Sequence, residues 1–389
     1  MGGAFFFLGR NAMLPIRFSY SVLTLSVFLC GSSWAVSFDV NNLVTDDQSA
    51  HAAQITDPEL VNAWGVSFGP TSPFWVSANG SGKSTLYVVN PLTQATTKVS
   101  LTVSIPGDGS VTGQVFNSNS ASSFSGNNFL FVSEDGTVSG WRGALGTTAE
   151  NVALASSANV YKGAAFASIS GNSYLYAANF RAGMIDVFKG TSGAPTLPGS
   201  FTDPGLPAGY APFNVQNLNG TLYVAYAVQD AMKHDEVAGA GRGIVDSFDL
   251  QGNFVARVAT GGTLNAPWGI AIAPSSFGAL AGDLLVGNFG DGRITAFDAK
   301  THAQRGQVLG PDGKPLSIDG LWALSPGNDG SGGSSHLLYF TAGPDGETHG
   351  LFGVLTAVPE PSSYALLLAG IGILGLWRQR RDWVERSKA

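Results

Sequence analysis

The sequence predicts an all-β protein built as a six-bladed β-propeller, and three observations carry that reading. A strand-turn-strand pattern recurs six times between residues 63 and 356. Its period lies near 50 residues, the length of one propeller blade. Side chains alternate with period two inside the strands, and no stretch of the body has a convincing helical period.

Each copy runs from a Gly- or Asn-containing turn into a short apolar strand, then a second strand rich in Tyr, Phe and Val, then a third ending in Phe or Trp. The copies open with AWGVSF (63–68), TGQVFN (112–117), KGAAFAS (162–168), PFNVQN (212–217), PWGIAIA (267–273) and DGLWALS (319–325). Aligned on Gly65, Gly113, Gly163, Asn214, Gly269 and Gly320, they step by 48, 50, 51, 55 and 51 residues. Glycine here suits inner strands whose backbones crowd a common axis. In the fourth copy Leu222, Val224 and Tyr226 face one way, Tyr223 and Ala225 the other. One small sheet cannot bury both faces, whereas six packed in a ring can. A fourth, outer strand is expected in most copies, as at ATTKVSL (95–101) and NFVARVA (253–259). The last copy ends at Thr356 with a bare edge, and the unassigned segment SFDVNNLV (37–44) is expected to cover it and close the ring.

The ends of the chain carry different information. Arg10 and Arg17, the mostly apolar run Val22 to Leu29 and the Ser33-Trp34-Ala35 site make residues 1–35 a secretory signal for signal peptidase. The one cysteine, Cys30, leaves with it, so the exported chain has no disulfide and no cysteine-based site. Residues 36–358 hold 13 basic and 24 acidic groups, a balance of −11 that argues against nucleic acid or an anionic membrane as partner. The chain finishes with VPEPSSYALLLAGIGILGLWRQRR (358–381). Tyr364 to Trp377 is free of charge, and Arg378, Arg380 and Arg381 follow. As a helix those 14 residues would reach about 21 Å, short of the roughly 30 Å hydrocarbon core. Gly370, Gly372 and Gly375 make this segment a poor permanent anchor and a good transient one.

The order Pro359-Glu360-Pro361, apolar helix, arginine cluster resembles the PEP-CTERM sorting signal of Gram-negative bacteria. The resemblance implies an exosortase as partner, an inner-membrane intermediate and removal of the tail. The protein would end in the periplasm, on the cell surface or outside the cell. The expected divisions are then a signal at 1–35, a propeller at 36–357, the sorting signal with its transmembrane helix at 358–381, and a cytoplasmic tail at 382–389. The stretch from Asp46 to Gly82 and the block LNAPWGIAIAP (264–274) resemble an uncharacterised family of secreted, NHL-like six-bladed propellers. That family implies no established activity or site.

Chemistry is harder to place. Lining up the second strands puts Asn79, Glu134, Asn179, Tyr226, Asn288 and Ala342 at equivalent positions near one end of the axis. Propellers of the regucalcin type hold Ca²⁺ on such oxygens, which makes Glu134, Asn179 and Asn288 weak metal candidates. The plainer reading is that Asn at a strand end caps its own turn. His349, in GPDGETHG, is expected near the ring closure, with His51 close by. The insertion AVQDAMKHDEVAGAGRG (227–243) carries Asp230, Lys233, His234, Asp235 and Glu236, and reads equally as a binding loop or a plain connection. GSGKST (80–85) lacks the first glycine of a phosphate-binding loop and joins two strands. The expectation is an exported binding or scaffold protein for a surface protein or polysaccharide, without cofactor. The alternative is a Ca²⁺-dependent hydrolase or lactonase with its site at the channel mouth.

Overall fold

Each repeat folds as one antiparallel sheet in the computed structural model, which describes residues 36–358, 370–374 and 377–378. The signal at 1–35, Pro359, Glu360, Pro361, Arg380, Arg381 and the tail at 382–389 lie outside the described residues. Residues 370–374 and 377–378, Arg378 among them, are helical and exposed. Among the described residues no helix is long and apolar enough to cross a membrane.

The first blade runs outward through Ala63–Ser67, Phe74–Ala78, Lys83–Val89 and Thr96–Ser104. The second uses Val111–Phe116, Phe129–Ser133, Val138–Trp141 and Glu150–Ala153. The third has three strands, Tyr161–Ile169, Asn172–Asn179 and Met184–Lys189. Its outer-strand place is taken by a loop whose Phe201 packs edge-on against Tyr176 of the same blade, with ring centroids 5.5 Å apart. The fourth comprises Tyr210–Leu218, Thr221–Val228, Ile244–Asp249 and Phe254–Thr260. The fifth comprises Pro267–Ile272, Leu284–Asn288, Ile294–Phe297 and Gln304–Gln307.

The sixth blade joins the two ends of the fold. Its inner three strands are Leu321–Pro326, Leu338–Ala342 and Leu351–Val358, and its outer strand is Ser37–Thr45. Ser37 pairs with Val358 and Thr45 with Leu351, antiparallel, as the sequence predicts. Phe38 is fully buried and stacks on Phe277 of the fifth blade at 4.2 Å. Leu43, also fully buried, packs with Phe74 and Val76 of the first blade. A side chain of this size contributes about 1.5–3 kcal/mol when fully buried.

The core is divided as a ring of wedges requires. Six apolar clusters lie between neighbouring blades. Leu222, Val224 and Tyr226 pack toward the third blade, while Tyr223 and Ala225 pack toward the fifth. Inner strands touch in sequence round the full circle, the sixth against the first. Their glycines permit that closeness. A Cβ on Gly65 would stand 2.5 Å from the Thr112 carbonyl oxygen, and one on Gly113 would stand 2.7 Å from the Ala164 nitrogen.

The sixth alignment point needs correction. Strand register pairs Leu321 with Ala342, as it pairs Pro267 with Asn288, so the equivalent of Gly269 is Ala323. Gly320 belongs to the preceding turn, with a left-handed φ of 62°.

Candidate functional site

The site is built on a kink shared by all six inner strands. Register slips within Ala63/Val66, Val111/Gln114, Tyr161/Gly163, Pro212/Asn214, Pro267/Gly269 and Leu321/Leu324. A bulge re-aims the residue inside it. The residues so placed are Trp64, Thr112, Lys162, Phe213, Trp268 and Trp322, and all but Thr112 meet at the axis. Trp64 stacks on Trp322 at 3.7 Å, Phe289 stacks on the same indole at 4.0 Å, and Trp268 meets it edge-on at 5.9 Å. Trp268 Nε1 donates to the Lys162 carbonyl at 3.0 Å. This aromatic plug closes the middle of the propeller.

Lys162 is the one charge among these kink residues, and its side chain is 1% exposed. Its ammonium lies 5.3 Å from the centre of the Trp64 ring, a cation–π contact. It also touches Glu134 and reaches Asp235 Oδ1 at 3.1 Å. An unpaired buried ammonium would lose its proton or destabilise the fold, so these carboxylates are what hold it charged. Burial pulls the Lys162 pKa down, but the charges of Glu134 and Asp235 outweigh it and the net shift is upward.

Around the lysine, on the face where inner strands begin, side chains form a connected chain. Glu134 Oε2 accepts from Asn79 Nδ2 at 3.1 Å. Asn79 Oδ1 accepts from Asn62 Nδ2 at 3.3 Å, and the same amide donates to Glu347 Oε2 at 2.6 Å. Asn62 Oδ1 accepts from Trp322 Nε1 at 2.9 Å, tying the chain to the plug. The long insertion of the fourth blade supplies the rest. It is an ordered hairpin extension, with Val237 N bonded to Val228 O at 2.8 Å and Asp230 Oδ1 accepting from His234 N at 2.8 Å. It carries Asp235 and Glu236 to the lysine. Burial pushes the Glu236 carboxyl up to about 7, with Lys162 pulling down and Glu347 pushing up. Glu347 is raised too, chiefly by burial. Partial burial pushes the Asp235 carboxyl up, but Lys162 and the bond with His234 together outweigh it and the net shift is downward.

The residues expected from sequence divide into those near the axis and those outside it. Asn79 and Glu134 meet there. Asn179 and Asn288 do not join them, because register sets them equivalent to Ala78 and Ser133, one place earlier on the strand. Asn179 Nδ2 donates to Asn159 Oδ1 at 2.9 Å and Asp186 Oδ2 at 2.8 Å. Asn288 Nδ2 donates to Thr263 O at 2.8 Å and Asp291 Oδ1 at 3.0 Å. Both amides are spent on their own blade's turns, so Glu134, Asn179 and Asn288 do not converge as one ligand set. Tyr226 is buried between the third and fourth blades, and its hydroxyl has no partner there.

His349 sits at the ring closure with His51, ring centroids 5.9 Å apart. His349 Nδ1 pairs with Asp46 Oδ2 at 3.0 Å, and His51 Nε2 with Asp345 Oδ2 at 2.8 Å. The bond to Asp46 raises the His349 pKa. A triad of donors from Glu134, His234 and Asp235 converges to within 4.8 Å of one another, close enough for a metal ion. Sequence reasoning missed Lys162 and the convergence of His234 and Asp235 on Glu134.

Residues 357–381 match the PEP-CTERM protein-sorting motif. The motif marks an exported protein, sorted through the membrane and processed by an exosortase. "Uncharacterized protein R648" of Acanthamoeba polyphaga mimivirus is 33% identical over 338 residues, covering 83% of this chain and 80% of that protein. The chain belongs to the R648 family. A second member, "Uncharacterized protein L690" of the same virus, is 32% identical over 343 residues, covering 83% of this chain and 86% of its own. Among solved structures, the α-L-arabinofuranosidase arb93a of Fusarium graminearum superposes with a TM-score of 0.53 at 11% identity, over 82% of this chain and 98% of that one. At that identity the likeness speaks for the propeller fold alone. The R648-family chain described here is thus an exported six-bladed propeller.

Proposed function

We propose that this exported propeller is a binding protein whose acidic axial mouth takes a cationic group of a cell-surface or extracellular-matrix partner. The observation that carries the reading is Lys162. The protein places an ammonium of its own against Glu134 and Asp235, where the Ca²⁺-dependent alternative needs its metal. Four carboxylates, Glu134, Asp235, Glu236 and Glu347, surround that one lysine, so the mouth keeps a net negative charge. Beneath it the aromatic plug leaves no path along the axis. Such a surface attracts and orients a basic side chain or an amino sugar, and its pull weakens with salt.

A Ca²⁺- or zinc-dependent hydrolase is the second reading, favoured by the convergence of Glu134, His234 and Asp235. A dication on that triad would have to displace or face the Lys162 ammonium, which is why binding ranks first.

The test is retention of the exported protein on an amine-bearing polysaccharide, chitosan, across a salt series. Retention is expected at low salt, lost at high salt, and reduced about 3- to 30-fold in an Asp235→Asn/Glu236→Gln variant. Salt-independent retention in that variant, or Ca²⁺-dependent lactone hydrolysis abolished by Glu134→Gln, would favour the second reading.

A further inference from the structure

The face where inner strands end carries a different cavity. It holds about 350 Å³ on the axis, bordered by the first, second, third, fourth and sixth blades. Below it the channel narrows to a space of about 10 Å³, room for one water, before the aromatic plug. This is a blind pocket and is separate from the acidic mouth on the opposite face.

Its chemistry is the reverse of the mouth's. Among the described residues no Asp, Glu, Lys, Arg or His lines it, in a propeller body whose formal charge is −11. Its walls alternate aromatic rings with neutral hydrogen-bonding groups. Phe68, Phe116 and Phe166 are half-buried at equivalent places late in three different inner strands or just beyond. Gln216, half-buried on the fourth inner strand at the place equivalent to Ser67, Val115 and Ala165, forms no side-chain hydrogen bond among the described residues. Ser67 Oγ is enclosed within the wall, with no hydrogen-bond partner among the described residues. Gln114, by contrast, is fully engaged at the floor, donating to Gly65 O at 2.9 Å.

These features narrow the ligand. An ion would be desolvated with no counter-charge to meet it. A plain hydrocarbon would leave the Gln216 amide desolvated and unpaired, at a cost. A neutral molecule with hydroxyl edges and C–H faces satisfies both the amides and the rings. The volume falls within the span of about 300–1,000 Å³ usual for small-ligand sites. We infer that this pocket binds a neutral glycosyl unit. The inference does not depend on the acidic mouth, because no residue is shared between them.

The exported protein is assayed by affinity electrophoresis in gels containing dextran, mannan or galactan, with alginate and chitosan as anionic and cationic comparisons. Retardation by at least one neutral polymer is expected. Gln216→Ala should weaken it about 3- to 10-fold, and Gln216→Glu, which puts a charge in the same volume, should abolish it. Asp235→Asn, at the exposed rim of the mouth, should leave it unchanged, which separates this site from the mouth. Three results would overturn the inference: retardation by none of the neutral polymers, equal retardation of the Gln216→Glu protein, or retardation that Asp235→Asn removes.

Discussion

Glu236 is the residue whose ionisation the fold changes most visibly at the mouth. Its carboxyl, ordinarily near 4.5, titrates at about 7 beside Lys162 and Glu347. Between those values the folded protein keeps a proton that the unfolded chain has released. The stability this contributes is complete below about pH 4.5 and is lost as pH rises through 7. Replacing Glu236 with glutamine removes the titration. The wild-type protein should lose about 1–3 kcal/mol between pH 4.5 and 7 that Glu236→Gln does not lose. Urea unfolding at the two pH values checks it, and equal slopes for both proteins would refute it. Glu347, His349, Asp283 and Asp246, the last pushed up to about 7 by burial, are shifted in the same direction and contribute slope in both proteins alike.

Lys162 shows what single residues did and did not disclose. It occupies the same offset as Trp64, Phe213, Trp268 and Trp322, so a charge stands in a column of aromatics. That signal was legible in the sequence, but alignment on the neighbouring glycine drew attention one residue away. The same slip of one place put Asn179 and Asn288 beside Asn79 and Glu134. Asn79 and Glu134 lie one residue beyond the last paired position of their strands, a limit that a row of polar residues does not mark. His234 and Asp235 could not be placed at all, because a 17-residue insertion has no repeat to align it.

Among elements, the strand Ser37–Thr45 does the most for its length. It supplies Phe38 to the boundary of the fifth and sixth blades and Leu43 to that of the sixth and first. Without it Leu351–Val358 would be a bare edge. Phe38→Ala removes a fully buried ring stacked on Phe277, and should cost about 3–5 kcal/mol in chemical denaturation. It should also raise the tendency to self-associate. A loss below about 1 kcal/mol would mean that the strand closes the ring without holding it. This strand was readable in advance because a propeller cannot leave one blade unfinished. The missing outer strand of the third blade was not readable. Residues 190–209 are rich in Gly and Pro, and Phe201 fills the gap by packing instead of pairing.

At the scale of the whole molecule, six wedges and an aromatic plug make two unlike ends of one axis. One end gathers carboxylates around a resident ammonium, and the other offers amides, hydroxyls and phenyl rings without a charge. The repeat period and the strand alternation announced the ring. The difference between its two faces arises from loops and bulges, which the period does not encode. The account rests on Lys162 serving as the mouth's own cation. Its most direct test is the metal content of the exported protein after exchange into buffer with Ca²⁺ and Zn²⁺ and subsequent desalting, read by elemental analysis alongside native mass spectrometry. The account predicts far less than one equivalent of either ion. One equivalent retained by the wild-type protein and lost in Glu134→Gln would contradict it.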